Sequence, residues 1–282
     1  MSGFCDLHVH SNYSDGTCTP AELIRLAENQ ALETIALCDH NTIDGLPDFL
    51  AAAQSSTVRA IPGIEFSTEY QSTELHILGL FIQPQHYDRI NALLIDYQKK
   101  KEASNRALAQ ALNNAGYLID YEAVKARTIG IPNRAHFAAE LIEKGYLSSI
   151  REGCLTILSP KNGLYVPPSR PDAFETIAMI KSMGAVAVLA HPFLNLKEPD
   201  LRVFLQKAVS YGLDAMETLY VTFDDDLTQR AQKIAAEFGL KQSGGSDFHG
   251  SNKPDILIGV GRGNLAVPAV FAHDLLRCAN PF

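Results

Sequence analysis

The stretch Asp6-Leu-His-Val-His-Ser-Asn-Tyr-Ser-Asp-Gly16 decides how this chain is read. His8 and His10 flank Val9 at the end of a short apolar run, Phe4 to Leu7. In a β-strand, residues i and i+2 point to the same side. Both imidazoles therefore leave the strand together, and two imidazoles at that spacing can share one divalent cation. Asp15 follows in a Ser-Asp-Gly turn, from which a short loop can return a carboxylate toward the strand end.

Outward from this stretch, short apolar runs alternate with helical patterns. Thr19-Pro20-Ala21-Glu22 reads as a capping box with proline at the first helical position, and opens a helix to about Ala31. Thr34 to Cys38 is an apolar run ending in Asp39-His40-Asn41. A helix from about Leu46 to Gln54 leads to a strand, Val58 to Phe66, ending near Glu65. Glu74 to Ile82 reads as a strand around His76, and a long helical pattern covers about Pro84 to Ala115. The rhythm then lapses into short helical pieces between Gly and Pro punctuation. It resumes at Pro171. Strands are expected at Ala185–Ala190 before His191-Pro192, at Ala215–Leu219, at Leu240–Ser243 before GGSDFHG, and at Ile256–Val260; a last helix covers Val267–Cys278. Repeated strand–helix units predict an α/β fold with a parallel sheet, and polar clusters at many strand ends favour a barrel. No G-x-G-x-x-G turn suggests a dinucleotide fold.

Composition narrows the function. The 282 residues are 46% hydrophobic, enough for a sizeable core, and no apolar run approaches the roughly 20 residues that span a bilayer. The start, MSGFCDLHVH, lacks the pattern of a signal peptide, and five scattered cysteines fit a reducing compartment. A cytoplasmic location is the expectation. The net charge of −8 argues against broad binding to duplex nucleic acid, but not against a small phosphorylated substrate. Bound divalent cations make a site locally positive even in an acidic protein.

The polar groups at the strand ends form a coherent set. His8, His10, Asp15, His40, Glu65, His76, His191, Asp247 and His249 are all of metal-ligand type. One histidine on an apolar strand is usually a hydrogen-bonded core residue; so many together predict a metal site. Carboxylates mixed with imidazoles, without a cysteine cluster, suit Mn²⁺, Zn²⁺ or Fe²⁺ better than Ca²⁺. These nine residues exceed the capacity of one ion, so a bridging carboxylate is needed, and Glu65 is the candidate.

The series HVHSNYSDG, CDHN, GIEFS, the lone His76, AHP and GSDFHG resembles the polymerase-and-histidinol-phosphatase (PHP) domain, over roughly residues 3–98 and 169–282. The resemblance implies a distorted (β/α)7 TIM-like barrel over residues 1–98 and 169–282. A small, mostly helical insertion, residues 99–168, would contribute to the substrate pocket. It also implies three ions: one held by His8, His10, Glu65 and Asp247, one by Glu65, His76 and His191, one by Asp15, His40 and His249. Catalysis would rest on Glu65, His191, Asp247 and His249. Asp39 would orient a ligand histidine or hold a turn.

The segment IPNRAHFAAEL resembles small bacterial PHP phosphoesterases. Members of that branch remove the 3′-phosphate of nucleoside 3′,5′-bisphosphates or trim short 5′-phosphorylated RNA. Arg134 and His136 would then meet a substrate phosphate, with Lys161 and Arg170 as weaker candidates; a planar guanidinium suits that task. The expected chemistry is phosphoester hydrolysis by a metal-bridging hydroxide, its pKa lowered from 15.7 for bulk water toward about 7. The alternatives are a phosphatase acting on another phosphomonoester such as histidinol phosphate, a proofreading exonuclease working in trans, and a non-catalytic metal- or nucleotide-binding regulator.

Overall fold

The computed structural model describes residues 3–279; the outermost residues of the expected barrel segments, 1–2 and 280–282, lie outside the described residues. The chain opens with β1 (Phe4–Val9), α1 (Pro20–Asn29), β2 (Leu32–Leu37), α2 (Leu46–Ala53), β3 (Arg59–Tyr70) and β4 (Thr73–Leu80). Then come α3 (Tyr87–Asn114) and the short helices α4 (Tyr121–Lys125), α5 (Arg134–Glu143) and α6 (Ile150–Leu155). The last part holds α7 (Ala173–Ser182), β5 (Val186–Leu189), α8 (Glu198–Ala208), β6 (Ala215–Tyr220), α9 (Asp225–Glu237), β7 (Lys241–Gly245), β8 (Val267–Pro268) and α10 (Val270–Leu276). The capping box forms as expected: the Thr19 hydroxyl accepts the Glu22 N–H, and the Glu22 carboxylate accepts the Thr19 N–H.

The strands run in the order β7-β6-β5-β4-β3-β2-β1-β8. The sheet curls into a nearly closed barrel at the β1–β7 seam. There Asp247 N–H donates to the His8 carbonyl at 2.9 Å, and His10 N–H to the Phe248 carbonyl at 3.0 Å. Gly245 lets the seam close: a Cβ there would lie 2.5 Å from His8 Cβ and 2.7 Å from its backbone nitrogen. On the β6 side, a Cβ on Gly244 would lie 2.6 Å from the Leu219 carbonyl oxygen.

The sheet is mixed, not parallel. β3 and β4 form an antiparallel hairpin, and β4 pairs antiparallel with β5. The hairpin turns on Gln71 and Ser72, both at positive φ, 47° and 63°. Such turns carry Asn-Gly or Asp-Gly when sequence announces them, so Gln-Ser concealed the reversal. The expected strand at Ile256–Val260 is a set of turns around a Leu257–Gly261 bridge; the short eighth strand lies later, at Val267–Pro268, antiparallel to β1.

Barrel strands interleave with their helices in two apolar clusters. A separate cluster, including Leu108, Leu112, Phe137, Leu141 and Tyr165, joins the end of α3 to α4–α6. This third cluster gives the region its own packing beside the barrel.

Candidate metal centre

β1 delivers His8 and His10 to one side, both fully buried, and their Nε2 atoms come within 3.1 Å. The loop after β1 returns Asp15, whose Oδ1 lies 3.1 Å from His249 Nε2. Asp39 builds that loop. Its carboxylate accepts the Ser11 N–H at 2.8 Å and the hydroxyls of Ser11 and Ser14, each at 2.6 Å. Asp39 therefore has the turn role and orients no histidine. Glu65 is not at a strand end, because β3 continues to Tyr70.

Glu65 is the centre of the arrangement. Its Oε1 lies 2.8 Å from His76 Nδ1 and 3.1 Å from His191 Nε2. Its Oε2 lies 3.3 Å from both His8 Nε2 and His10 Nε2, and 2.9 Å from His40 Nδ1. Each oxygen thus faces its own set of ring nitrogens. Asp247 closes the floor, with Oδ1 3.2 Å from His10 Nε2. Three overlapping groups each have ligand atoms within 4.8 Å of one another: His10, Asp15, His40 and His249; His8, His10 and Glu65; His40, Glu65 and His76. His40 bridges two groups, although the resemblance gave it to one.

Buried polar atoms normally find partners. Here Glu65 Oε2, His10 Nδ1 and His40 Nδ1 are buried and make no hydrogen bond, despite the short approaches around Glu65. Lone pairs turned on one another without a shared proton are what a cation would resolve. The donor set, imidazole and carboxylate without thiolate, suits Mn²⁺, Fe²⁺ or Zn²⁺.

Protonation follows this crowding. Burial alone would raise all three carboxylates, yet the basic side chains beside them hold each well below the usual range. For Asp15 these are His249 and His40, for Glu65 they are His40, His76 and His8, and for Asp247 they are Lys253 and His249. Burial, with His249 and His40 beside it, drives His10 down to about 3. Burial also opposes charge on His76, but Glu65 and Glu74 lift it to about 10. The backbone is strained at the same place: His191 has φ 29° and Asp247 φ 53°. Non-glycine residues at positive φ concentrate at functional sites.

The cluster floors a cleft of about 660 Å³, which also admits Arg134, Lys101, Arg170 and Tyr165. Lys101 Nζ reaches Tyr165 Oη at 3.1 Å, and the Arg134 guanidinium lies 5.6 Å from the same ring's centroid. Arg170 is at the cleft wall, paired with Glu74 at 2.8 Å. His136 does not line the cleft; its Nδ1 accepts the Asn133 N–H at 3.0 Å, as the partner in an α5 capping box. Lys161 is exposed outside the cleft.

Several residues escaped the sequence reading. Glu217, fully buried on β6, accepts from His8 Nδ1 at 3.0 Å and from the His191 N–H at 2.6 Å. A carboxylate inside the apolar run Ala215–Tyr220 was its visible signal. Tyr220 Oη and Lys253 Nζ each bind Asp247 Oδ2 at 2.7 Å. Lys101 lay hidden in a Lys-Lys-Lys run that reads as a solvated helix face.

A barrel that gathers six imidazoles and three carboxylates at one mouth, beneath a cationic rim, defines a metal-dependent phosphoesterase. The PHP domain profile matches residues 6–158, and the chain belongs to that family. It is 32% identical over 245 residues to a 5′-3′ exoribonuclease of Haemophilus influenzae, covering 86% of this chain and 89% of that protein. It is 29% identical over 248 residues to a 3′,5′-nucleoside bisphosphate phosphatase of Chromobacterium violaceum, covering 86% of each. Among solved structures it resembles an amidohydrolase from Chromobacterium violaceum crystallised with sulfate and no metal. The TM-score is 0.88 at 25% identity, over 98% of this chain and 97% of that one. The chain is a hydrolase of phosphoric esters.

Proposed function

We propose that the substrate is a nucleotide carrying a 5′-phosphate: a nucleoside 3′,5′-bisphosphate that loses its 3′-phosphate, a short 5′-phosphorylated RNA trimmed from that end, or both. The observation that carries this is the pair Lys101 and Arg134, set around Tyr165 in the same cleft as the histidine–carboxylate cluster. One phosphate can lie over the cluster while a second meets the cationic pair. The relatives named a 5′-3′ exoribonuclease and a 3′,5′-nucleoside bisphosphate phosphatase support both forms.

Three divalent ions fit the donor set, with Mn²⁺ as the first choice. His8, His10, Glu65 and Asp247 would hold one; Glu65, His76 and His191 a second; Asp15, His40 and His249 a third. When bound, such ions polarise phosphoryl oxygens and lower the pKa of water. The protein contributes position and charge. Glu65 joins two ligand sets through its two oxygens. His191, held by its N–H on Glu217, and Asp247, held by Tyr220 and Lys253, are fixed before substrate arrives. Preorganised donors of this kind cost no rearrangement at the moment of reaction. The Arg134 fork and Lys101 bind the remote phosphate and orient the scissile one.

The test is phosphate or nucleotide release by Mn²⁺-loaded protein from adenosine 3′,5′-bisphosphate, a short 5′-phosphorylated RNA and histidinol phosphate, with chelator controls. Chelator-sensitive turnover of a nucleotide, with histidinol phosphate inert, is the expected outcome. Preference for histidinol phosphate would overturn the substrate assignment and leave the metal centre standing.

A further inference from the structure

Short contacts stitch the insertion to the loop that carries Asp15. Thr128 Oγ1 donates to the Ser14 carbonyl at 2.8 Å, and Ile129 N–H to the Asn12 carbonyl at 3.3 Å. Gly130 passes so close that a Cβ there would lie 2.3 Å from the Tyr13 carbonyl oxygen. Asn133 completes the seam, and its amide works at both ends. Oδ1 accepts the Ala135 N–H at 2.9 Å and caps α5. Nδ2 donates to Asp15 Oδ2 at 2.7 Å.

A helix cap needs only an acceptor, which Ser, Thr or Asp supplies as well as Asn. Among these, only the amide adds an N–H donor at its other end. That donor occupies Asp15 Oδ2, while Oδ1 faces His249 Nε2 at 3.1 Å. We infer that Asn133 is a positioning residue of the metal centre. It fixes the rotation of the Asp15 carboxylate, so that one oxygen is presented to an ion shared with His40 and His249. The inference rests on reading that group as an ion site, and it deepens that reading. It also ties the ion to the substrate, because Arg134 is the next residue and starts the helix that Asn133 caps. Coupling between two sites is reciprocal.

The test uses the full chain, stripped by chelator and titrated with Mn²⁺ alone. Asn133→Ser keeps a capping oxygen and loses the amide donor; Asn133→Ala loses both. Asn133→Ser is expected to melt like the parent when metal-free. Its weakest Mn²⁺ site should bind about 10- to 100-fold less tightly, the usual cost of losing an outer-shell partner. Its kcat should fall with little change in KM. Arg134→Ala is expected to show the opposite split: a parental Mn²⁺ isotherm and a raised KM. An Asn133→Ser protein with parental Mn²⁺ affinity and stoichiometry would overturn the inference. So would loss of metal that tracks loss of melting temperature equally in both Asn133 variants, since the residue would then be only a cap. A parent chain that takes up no Mn²⁺ would overturn this inference together with the metal assignment; failure of the nucleotide substrates alone would not touch it.

Discussion

The Glu217 carboxylate lies 3.0 Å from His8 Nδ1, with both side chains fully buried. Its other oxygen takes the backbone N–H of His191 at 2.6 Å. One residue of β6 therefore governs two histidines, one on β1 and one just beyond the end of β5. A proton held on Nδ1 by a carboxylate leaves the His8 Nε2 lone pair facing His10, Glu65 and Asp247 and makes it more basic. Glu217→Gln keeps the shape and loses the charge. Mn²⁺ affinity should fall about 10- to 100-fold, with activity partly recovered at high Mn²⁺. Calorimetric titration checks this; an unchanged isotherm would make Glu217 a structural residue only.

Glu65 is the residue that no neighbour can replace, because each of its oxygens faces a different set of imidazoles. Glu65→Gln should lower kcat by more than the roughly 10- to 100-fold typical of outer-shell changes, and lower the number of Mn²⁺ ions retained per chain. Elemental analysis after desalting, beside kcat, measures both. Retention of the parental metal content would remove Glu65 from the bridging role.

Arg134 and Lys101 are expected to act on binding. A hydrogen bond to a charged group is worth about 1.5–3 kcal/mol, so losing either cation should raise KM for a 5′-phosphorylated nucleotide about 10- to 100-fold. A phosphomonoester without a second phosphate, such as p-nitrophenyl phosphate, should be indifferent to both changes. Steady-state kinetics on Arg134→Ala and Lys101→Met would show it, and equal losses on the two substrates would place the cations elsewhere in the reaction.

The metal-free protein should be most stable in mildly acidic solution. Burial opposes charge on His76, yet its carboxylate partners lift it from 6.5 to about 10. A raised histidine contributes stability fully below 6.5, and loses it as pH rises through 10. Burial likewise opposes charge on Glu74, but His76 and Arg170 hold it at about 2 rather than 4.5. That contribution is present above 4.5 and is lost as pH falls through 2. Thermal melts in chelator should therefore peak between these limits. Mn²⁺ should flatten the alkaline limb, because ions replace the protons.

The β1–β7 seam should tolerate no side chain. Gly245→Ala places a methyl group against the His8 backbone, and overpacking of this kind costs about 1–3 kcal/mol. Because His8 moves with the seam, metal affinity should fall as well as melting temperature. A variant that loses neither would show that the seam can open locally.

Much of this molecule was legible from local pattern. The capping box at Thr19 and Glu22, the succession of strands and helices, and the ligand-type side chains at the barrel mouth all follow from short-range rules. Periodicity of 2 and 3.6 residues acts within one element, and the relation between His8 and His10 is carried by a single strand. Tertiary structure alone decided the rest. Gln71 and Ser72 hold an unannounced turn, and with it the antiparallel placement of β4 that brings His76 beside Glu65. The apolar run at Ile256–Val260 fits a strand by composition, but β8 forms at Val267–Pro268 instead. His136 matched a substrate-binding pattern but partners Asn133 in the α5 capping box, while Lys101, in a run of three lysines, turns inward to Tyr165. Glu217 reaches His8 across 209 positions of chain. Local sequence states what each side chain can do. Which groups meet is set by barrel closure, which brings distant strands together through burial that no short window contains.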